Sequence, residues 1–253
     1  MTRFLDYSVV TATYNEAQNI TALLSAIINA LEPTGRTYEI VVVDDNSPDG
    51  TGNIVQAAMQ KNNCIRLVTR VNERGIGPAY LHGIRHSNGN VVCTMDADFS
   101  HPPERLPDLL AAAEDGSLVL GSRFLRKGDF DTLWYRVLPT RTINMWHRLV
   151  LHTGLHDHTN GYLACRRDSL DRLLAEGARL GVRPYDRTLY GLILATLACR
   201  FHIPVKELPA KYIFRTKGET KIKFGTGVML LFEEWFDSLR LVPARYGKSV
   251  VST

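Results

Sequence analysis

The chain has 253 residues, 45% of them hydrophobic and 22% charged, with a net charge of +4. That is enough chain for one large α/β domain, and a charge this small favours anionic ligands or an anionic surface without suggesting a nucleic-acid binder. Four cysteines (Cys64, Cys93, Cys165, Cys199) lack any CxxC spacing and sit among apolar residues, so they read as free, buried thiols of a reducing cytosol.

"YSVVTATY" reads as a first strand and "EAQNITALLSAIINAL" as an amphipathic helix. "YEIVVVDD" is a second strand, apolar enough to be buried on both faces. "NSPDGT" is a turn, with Thr51 as the expected cap of the helix "GNIVQAAMQKN". "CIRLVTR" is a third strand, "GPAYLHGIRHS" a helix and "NVVCTMDAD" a fourth strand. A helix begins near Glu104 and is followed by "SLVLGSR". This β-α rhythm predicts a mostly parallel sheet covered by helices. Beyond about Arg123 the pattern turns irregular, more aromatic and more basic.

The N-terminus "MTRFLDYSVV" has no apolar core of a signal peptide. The longest apolar run, "LILATLAC", falls far short of the roughly 20 residues of a membrane span. The expected location is the cytoplasm, with peripheral contact to the cytoplasmic membrane face left open.

"VVCTMDADFSHPPE" carries the chemistry. Open parallel sheets bind ligands beyond the carboxyl ends of their strands. In extended chain Asp96 and Asp98 point to one side, about 6.5–7 Å apart. Hard carboxylate oxygens there suit Mg²⁺ or Mn²⁺, which fill their shell with water and substrate phosphates. Ser100 can add a hydroxyl. Pro102 and Pro103 stop the strand and suit a helix start, where Glu104 meets the positive end. A bare D-x-D is common, and solvated turn residues are the competing reading. Against that, a second acidic pair, Asp44-Asp45, also ends an apolar strand. Asp45 can accept the ring N–H of uracil or guanine alike. Tyr14 can stack on a base, or be a half-buried aromatic. Glu16 is a ligand contact or a helix-start charge.

In order, "TYNEAQNI", "VVVDDNSPDGT", "ERGIGPAYLHGI", "MDADFSHPPE", "GSR", "DHTNGY" and "FRTKGETK" resemble the dolichol-phosphate mannose synthases, inverting family 2 glycosyltransferases of the GT-A fold. The resemblance covers about residues 8 to 223. It implies a single GT-A domain over 1–253, with a nucleotide-sugar half (about 8–122) and an acceptor-side half (about 123–224); beyond them the residue pattern itself reads as a C-terminal amphipathic helix (about 225–242). It implies that Tyr14 and Glu16 meet the nucleotide, with Ala12 two residues before the tyrosine, and that Asp45 meets the base. Asp96 and Asp98, with Ala97 between them and Ser100 beyond, would hold metal and diphosphate. Arg123 would meet phosphate and Arg141 the acceptor phosphate, while Arg215 and Lys221 would close over the donor. Asp157 would position the acceptor, or act as base for a hydroxyl. The implied reaction moves a hexose, best GDP-mannose, to a polyprenyl phosphate. A soluble hydroxyl acceptor and a non-catalytic sugar-nucleotide binder are the rivals.

The chain departs from the pattern on the acceptor side. Ala12 replaces a proline, and "D-x-T-S-G-F-R" reads Asp157-His158-Thr159-Asn160-Gly161-Tyr162-Leu163. The usual Gln-x-Glu near "RPYDRTLY" is missing. His152, His156 and His158 suggest zinc only weakly and are expected to be ordinary polar residues of a surface loop. Gly75 and Gly77 look like a helix-start loop near the donor. The tail helix has Val228, Leu231, Phe232, Trp235, Phe236 and Leu239 on one face, framed by lysine and arginine. Covering the sheet is its expected role, and resting on an anionic membrane surface is the alternative.

Overall fold

The computed structural model describes residues 5–125, 130–131, 134–151, 153–182, 190–213 and 251–252. The elements are β1 (Leu5–Thr13), α1 (Ile20–Leu31), β2 (Tyr38–Asp44), α2 (Thr51–Lys61), β3 (Ile65–Thr69), α3 (Ile76–Arg85), β4 (Gly89–Asp96), α4 (Leu106–Ala112) and β5 (Leu118–Ser122). Then come β6 (Phe130–Asp131), α5 (Trp134–Leu151), β7 (Leu163–Arg166), α6 (Arg167–Arg179), α7 (Tyr190–Arg200), β8 (Val205–Pro209), β9 (Tyr212–Ile213) and β10 (Val251–Ser252).

Eight strands form one sheet in the order β10-β8-β5-β7-β4-β1-β2-β3, and β6 pairs with β9 apart from it. The large sheet is parallel except for β7, which runs antiparallel between β4 and β5. Valines that alternate along a strand go to opposite faces. Val10, Val41, Val43 and Val92 join α3, α6 and α7 in one core. Val9, Ile40, Val42, Val91 and Cys93 join α1 and α4 in the other. The solid apolar runs therefore reflect helices on both faces. The mostly parallel, helix-flanked sheet agrees with the expectation. Gly83 lets α3 approach closely, because a Cβ there would collide with the Val10 and Val43 side chains.

The run "LILATLAC" is part of α7, buried from Tyr190 to Ala198. Among the described residues no helix is long and apolar enough to cross a membrane. All four cysteines are free, Cys93 and Cys165 buried and the other two half-buried.

Several local expectations change. Thr51 is the first residue of α2 and not its cap; the N-cap is Gly50, in the left-handed region at φ 88°. Asp49 caps the backbone instead, its Oδ1 accepting from Thr51 N at 3.0 Å. The first helix starts at Ile20, four residues later than Glu16. Strand β4 ends at Asp96, so Asp98 lies in a turn and not in extended chain. Phe99 at φ 63° makes the reversal. A bulky residue seldom adopts that conformation, and it is sited one step from the ligand mouth. Pro102 and Pro103 lead, as expected, into a 3₁₀ turn and then α4.

Candidate active site

Strand register aligns the ends of four strands. Thr13 pairs with Asp44, Asp44 with Thr69, and Ala12 with Asp96. The next residues, Tyr14, Asp45 and Arg70, therefore emerge side by side at the carboxyl edge, where ligands of open sheets bind.

On that side Asp45 is met by an arginine that the sequence reading missed. Arg70 Nε reaches Asp45 Oδ1 at 2.7 Å and Nη2 reaches Oδ2 at 2.8 Å. The backbone N–H of Gly75, at φ 125°, donates to the same carboxylate at 3.2 Å. A charged residue closing the third strand next to Asp45 was the available signal. The Arg74 guanidinium lies 4.4 Å from the centre of the Tyr14 ring. Glu16 is buried, accepts from Asn19 Nδ2 at 2.8 Å, and its backbone N–H donates to Thr51 Oγ1 at 3.0 Å. Ala12 is half-buried within β1, and Ala97 is buried between the two aspartates.

Asp96 is half-buried, its side chain 31% exposed. Tyr80, fully buried on α3, donates its hydroxyl to Asp96 Oδ1 at 2.7 Å. Burial first, then the Asp96 carboxylate, push the Tyr80 hydroxyl well above its ordinary pKa, so it stays a donor. Asp98 Oδ1 accepts from Ser100 N at 3.0 Å. Ser100 Oγ is buried without a hydrogen-bond partner among the described residues. Among those residues no cluster of three or more His, Cys, Asp or Glu side chains is arranged for a metal. Two hard carboxylates and an unmatched hydroxyl therefore suit a cation that takes its other oxygens from water and phosphate, as Mg²⁺ and Mn²⁺ do, and not a closed zinc site.

A second Arg–Asp pair lies in the half that the sequence reading assigned to the acceptor. Arg123 follows β5, and its Nε and Nη2 meet Asp157 Oδ2 and Oδ1 at 2.6 and 2.7 Å. Arg123 N adds a bond at 3.0 Å, and Arg123 Nη2 also donates to Thr159 Oγ1 at 2.6 Å. Asn144 on α5 reaches Asp157 Oδ1 at 3.4 Å and accepts from His158 N at 2.7 Å. Glu207 on β8 accepts from Asp157 N at 2.9 Å. Asp157 is 0% exposed. Burial alone would raise its pKa; the Arg123 charge and hydrogen bonds from Arg123 and Thr159 outweigh it and hold the carboxyl below its ordinary value. Arg141, exposed on α5, and Arg123 each lie 5.6 Å from the Phe124 ring centre. Arg215, Lys221, His152 and the tail helix of 225–242 lie outside the described residues.

The remaining histidines of that loop take separate partners. His156 binds Glu207 at 2.9 Å and His158 shares a hydrogen bond with Thr153 at 2.6 Å. His158 is not a surface residue, as the sequence suggested, but 0% exposed, and faces His147 of α5 at 5.7 Å.

Two carboxylates at and just beyond the carboxyl end of β4, in a mostly parallel sheet flanked by helices, suit the binding of a metal and a diphosphate. The chain belongs to glycosyl transferase family 2, whose model matches residues 8–174. It is 36% identical over 246 residues to the polyprenol monophosphomannose synthase of Mycolicibacterium smegmatis, covering 94% of this chain and 89% of that one. It is 34% identical over 220 residues to the dolichol-phosphate mannosyltransferase of Pyrococcus furiosus; the match takes in 85% of this chain but only 59% of the relative's length. Among solved structures, the fold is shared with mannosyltransferase PcManGT from Pyrobaculum calidifontis, in complex with GDP-Man and Mn2+ (TM-score 0.58, 20% identity, 97% of this chain and 67% of that one). It is shared too with glucosyl-3-phosphoglycerate synthase from Mycobacterium tuberculosis (TM-score 0.60, 19% identity, 94% and 80%).

Proposed function

We propose that this enzyme moves a hexose, mannose from GDP-mannose, to the phosphate of a polyprenyl phosphate with inversion at the anomeric carbon. The observation that carries the choice of acceptor is the state of Asp157. Its carboxylate is wholly buried, engaged at both oxygens and held ionised by Arg123. A group so placed is poorly able to take a proton from an attacking hydroxyl. A phosphate monoester, with a second pKa of about 6, arrives already ionised and needs no such base. The names of the two relatives above point the same way.

Asp96 and Asp98 are the residues that would hold Mg²⁺ or Mn²⁺; when bound, the cation neutralises charge that grows on the diphosphate. Asp45 and Tyr14 orient the nucleoside. Arg123 and Arg141 flank Phe124 and draw the acceptor phosphate to the face opposite the diphosphate. A phosphate oxygen forms the bond to the anomeric carbon, the bond to the diphosphate oxygen breaks, and its electron pair leaves with the nucleoside diphosphate. The two halves, about 8–122 and 123–224, thus divide donor from acceptor. A lipid-phosphate acceptor would bring the enzyme to an anionic headgroup layer on the cytoplasmic face.

A panel of nucleotide sugars, with and without short polyprenyl phosphates, read by mass spectrometry, tests this. The expected product is mannosyl phospholipid from GDP-mannose alone. Transfer only to a soluble hydroxyl acceptor would overturn the acceptor assignment, and binding of nucleotide with no transfer to anything would overturn catalysis.

A further inference from the structure

Asn160 and Tyr162 stand where the family pattern has Ser and Phe, and both reach back to the D-x-D loop. The backbone N–H of Asp96 donates to His101 Nδ1 at 2.9 Å. His101 Nε2 lies 2.8 Å from Asn160 Oδ1, and Asn160 Nδ2 donates to the Gly121 carbonyl at 2.5 Å. The imidazole stacks on Tyr162, 4.8 Å between centres and 9° from parallel, and the Tyr162 hydroxyl donates to Pro102 O at 2.8 Å. His101, Asn160 and Tyr162 are at most 4% exposed.

The direction of every proton in this row is forced. A backbone amide can only donate, so Nδ1 of His101 carries a lone pair and Nε2 carries the hydrogen. Nε2–H therefore donates to the Asn160 oxygen, which leaves the Asn160 NH₂ for the Gly121 carbonyl. Turning any one member would leave buried polar atoms unmatched, which costs more than a hydrogen bond contributes. The row starts at the backbone of Asp96, the residue whose carboxylate is read as facing the donor. It ends two residues before Arg123, which faces the acceptor. It also passes through the residue after Thr159, itself a partner of Arg123.

We propose that His101 and Asn160 are positioning residues, a rigid strut that sets the separation between the Asp96 carboxylate and the Arg123 guanidinium and so keeps the acceptor phosphate in line with the diphosphate. Neither side chain touches the reacting atoms. A displacement of about 1 Å in such an alignment is costly for the rate. The inference rests on the reading of Asp96 as a ligand of metal and diphosphate. It adds that one buried asparagine governs both sides of the site.

The test is Asn160→Ser, whose shorter side chain cannot bridge His101 to Gly121, together with His101→Ala and the double variant. Mn²⁺ is titrated calorimetrically in saturating GDP, and acceptor KM and kcat are measured beside the melting temperature. A strut predicts that Asn160→Ser weakens Mn²⁺ about three- to tenfold and raises acceptor KM by a similar factor, about the worth of one hydrogen bond. It also predicts that the double variant is no worse than the poorer single one. A lower melting temperature with unchanged Mn²⁺ affinity and acceptor KM, or additive losses in the double variant, would overturn it. Asp96→Asn separates the two readings. If it leaves Mn²⁺ affinity as in the parent, the metal reading of Asp96 fails and the strut with it. If it weakens Mn²⁺ while Asn160→Ser does not, the strut alone fails. For variants that do not fold, the parent enzyme still decides: long-range ¹H–¹⁵N spectra should show His101 with its proton on Nε2, and a proton on Nδ1 overturns the proposal.

Discussion

Two buried Arg–Asp pairs stand on opposite sides of this site, and they are oriented oppositely. At the donor side Arg70 is the deeper member, 2% exposed against 7% for Asp45. At the acceptor side Asp157 is the deeper member, 0% exposed against 11% for Arg123. In each pair the two charges meet at hydrogen-bond distance, which offsets part of the cost of burying them. On the proposed reading, a carboxylate is offered to the N–H edge of a base, and a guanidinium to a phosphate. The same bidentate motif, turned around, would then give two specificities.

The largest way to break this comparison is to remove the deepest member. Asp157→Ala leaves Arg123 without its buried counter-charge, a change that costs about 3–5 kcal/mol. The melting temperature should fall by on the order of 10 °C, with transfer near background. A small shift with full activity would show that Arg123 does not need Asp157. Next, Arg141→Ala should raise acceptor KM or lower turnover about 10- to 150-fold while GDP binding stays unchanged. Steady-state kinetics against the acceptor, beside calorimetry with GDP, reads both. Asp45→Asn keeps the shape but removes the charge that Arg70 balances. Donor affinity should drop about tenfold, with acceptor KM unaltered; equal effects on donor and acceptor would erase the division of labour.

A separate effect is expected on pH dependence, and it belongs to the region around Asp157. Burial pushes His147 down to about 4, and burial first, then the His147 charge, pushes His158 down to about 3. The fold holds both imidazoles neutral, whereas the unfolded chain takes up protons below the ordinary value of 6.5. Their contribution is therefore complete above pH 6.5 and is lost as the pH falls toward 4 and 3. Asp157, with its lowered pKa, adds loss in the same direction once the pH falls below its ordinary 3.8. Melting temperatures measured from pH 7 to 4 should fall, and His147→Leu, which removes a ring with no hydrogen-bond partner among the described residues, should flatten that slope. An unchanged slope would mean that these histidines do not carry it.

The donor half was legible because its signals are local. Apolar runs of the right length, broken by Asp-Gly and Pro-Pro, placed β1 to β5 and put Asp45 and Asp96 at strand ends. The misplacements there are also local. Thr51 looked like a cap because Ser and Thr usually are, but Asp49 with Gly50 had already closed the helix start. Asp98 looked extended because the sequence does not reveal that Phe99 adopts φ 63°. On the acceptor side the decisive facts join residues far apart in the chain. Asp157 in a polar, histidine-rich loop reads as exposed, and only its pairing with Arg123, 34 positions away, allows its complete burial. Asn160 and Tyr162 read as departures from a pattern, because neither shows that its partner is the His101-Pro102 turn.

The single reversed strand has a consequence for how such enzymes can be rebuilt. Since β7 runs against its neighbours, the chain leaves the sheet at Ser122 and re-enters it at Leu163 on the same edge, beside Leu120. Everything between those two points, including Arg141, Asn144 and Asp157, is one excursion with both feet in one place. If that excursion carries the acceptor site, as proposed, recombining residues 123–160 between relatives would exchange acceptor preference while leaving β1 to β4 in register, provided that Glu207 is kept and that residue 160 and the D-x-D turn are exchanged together.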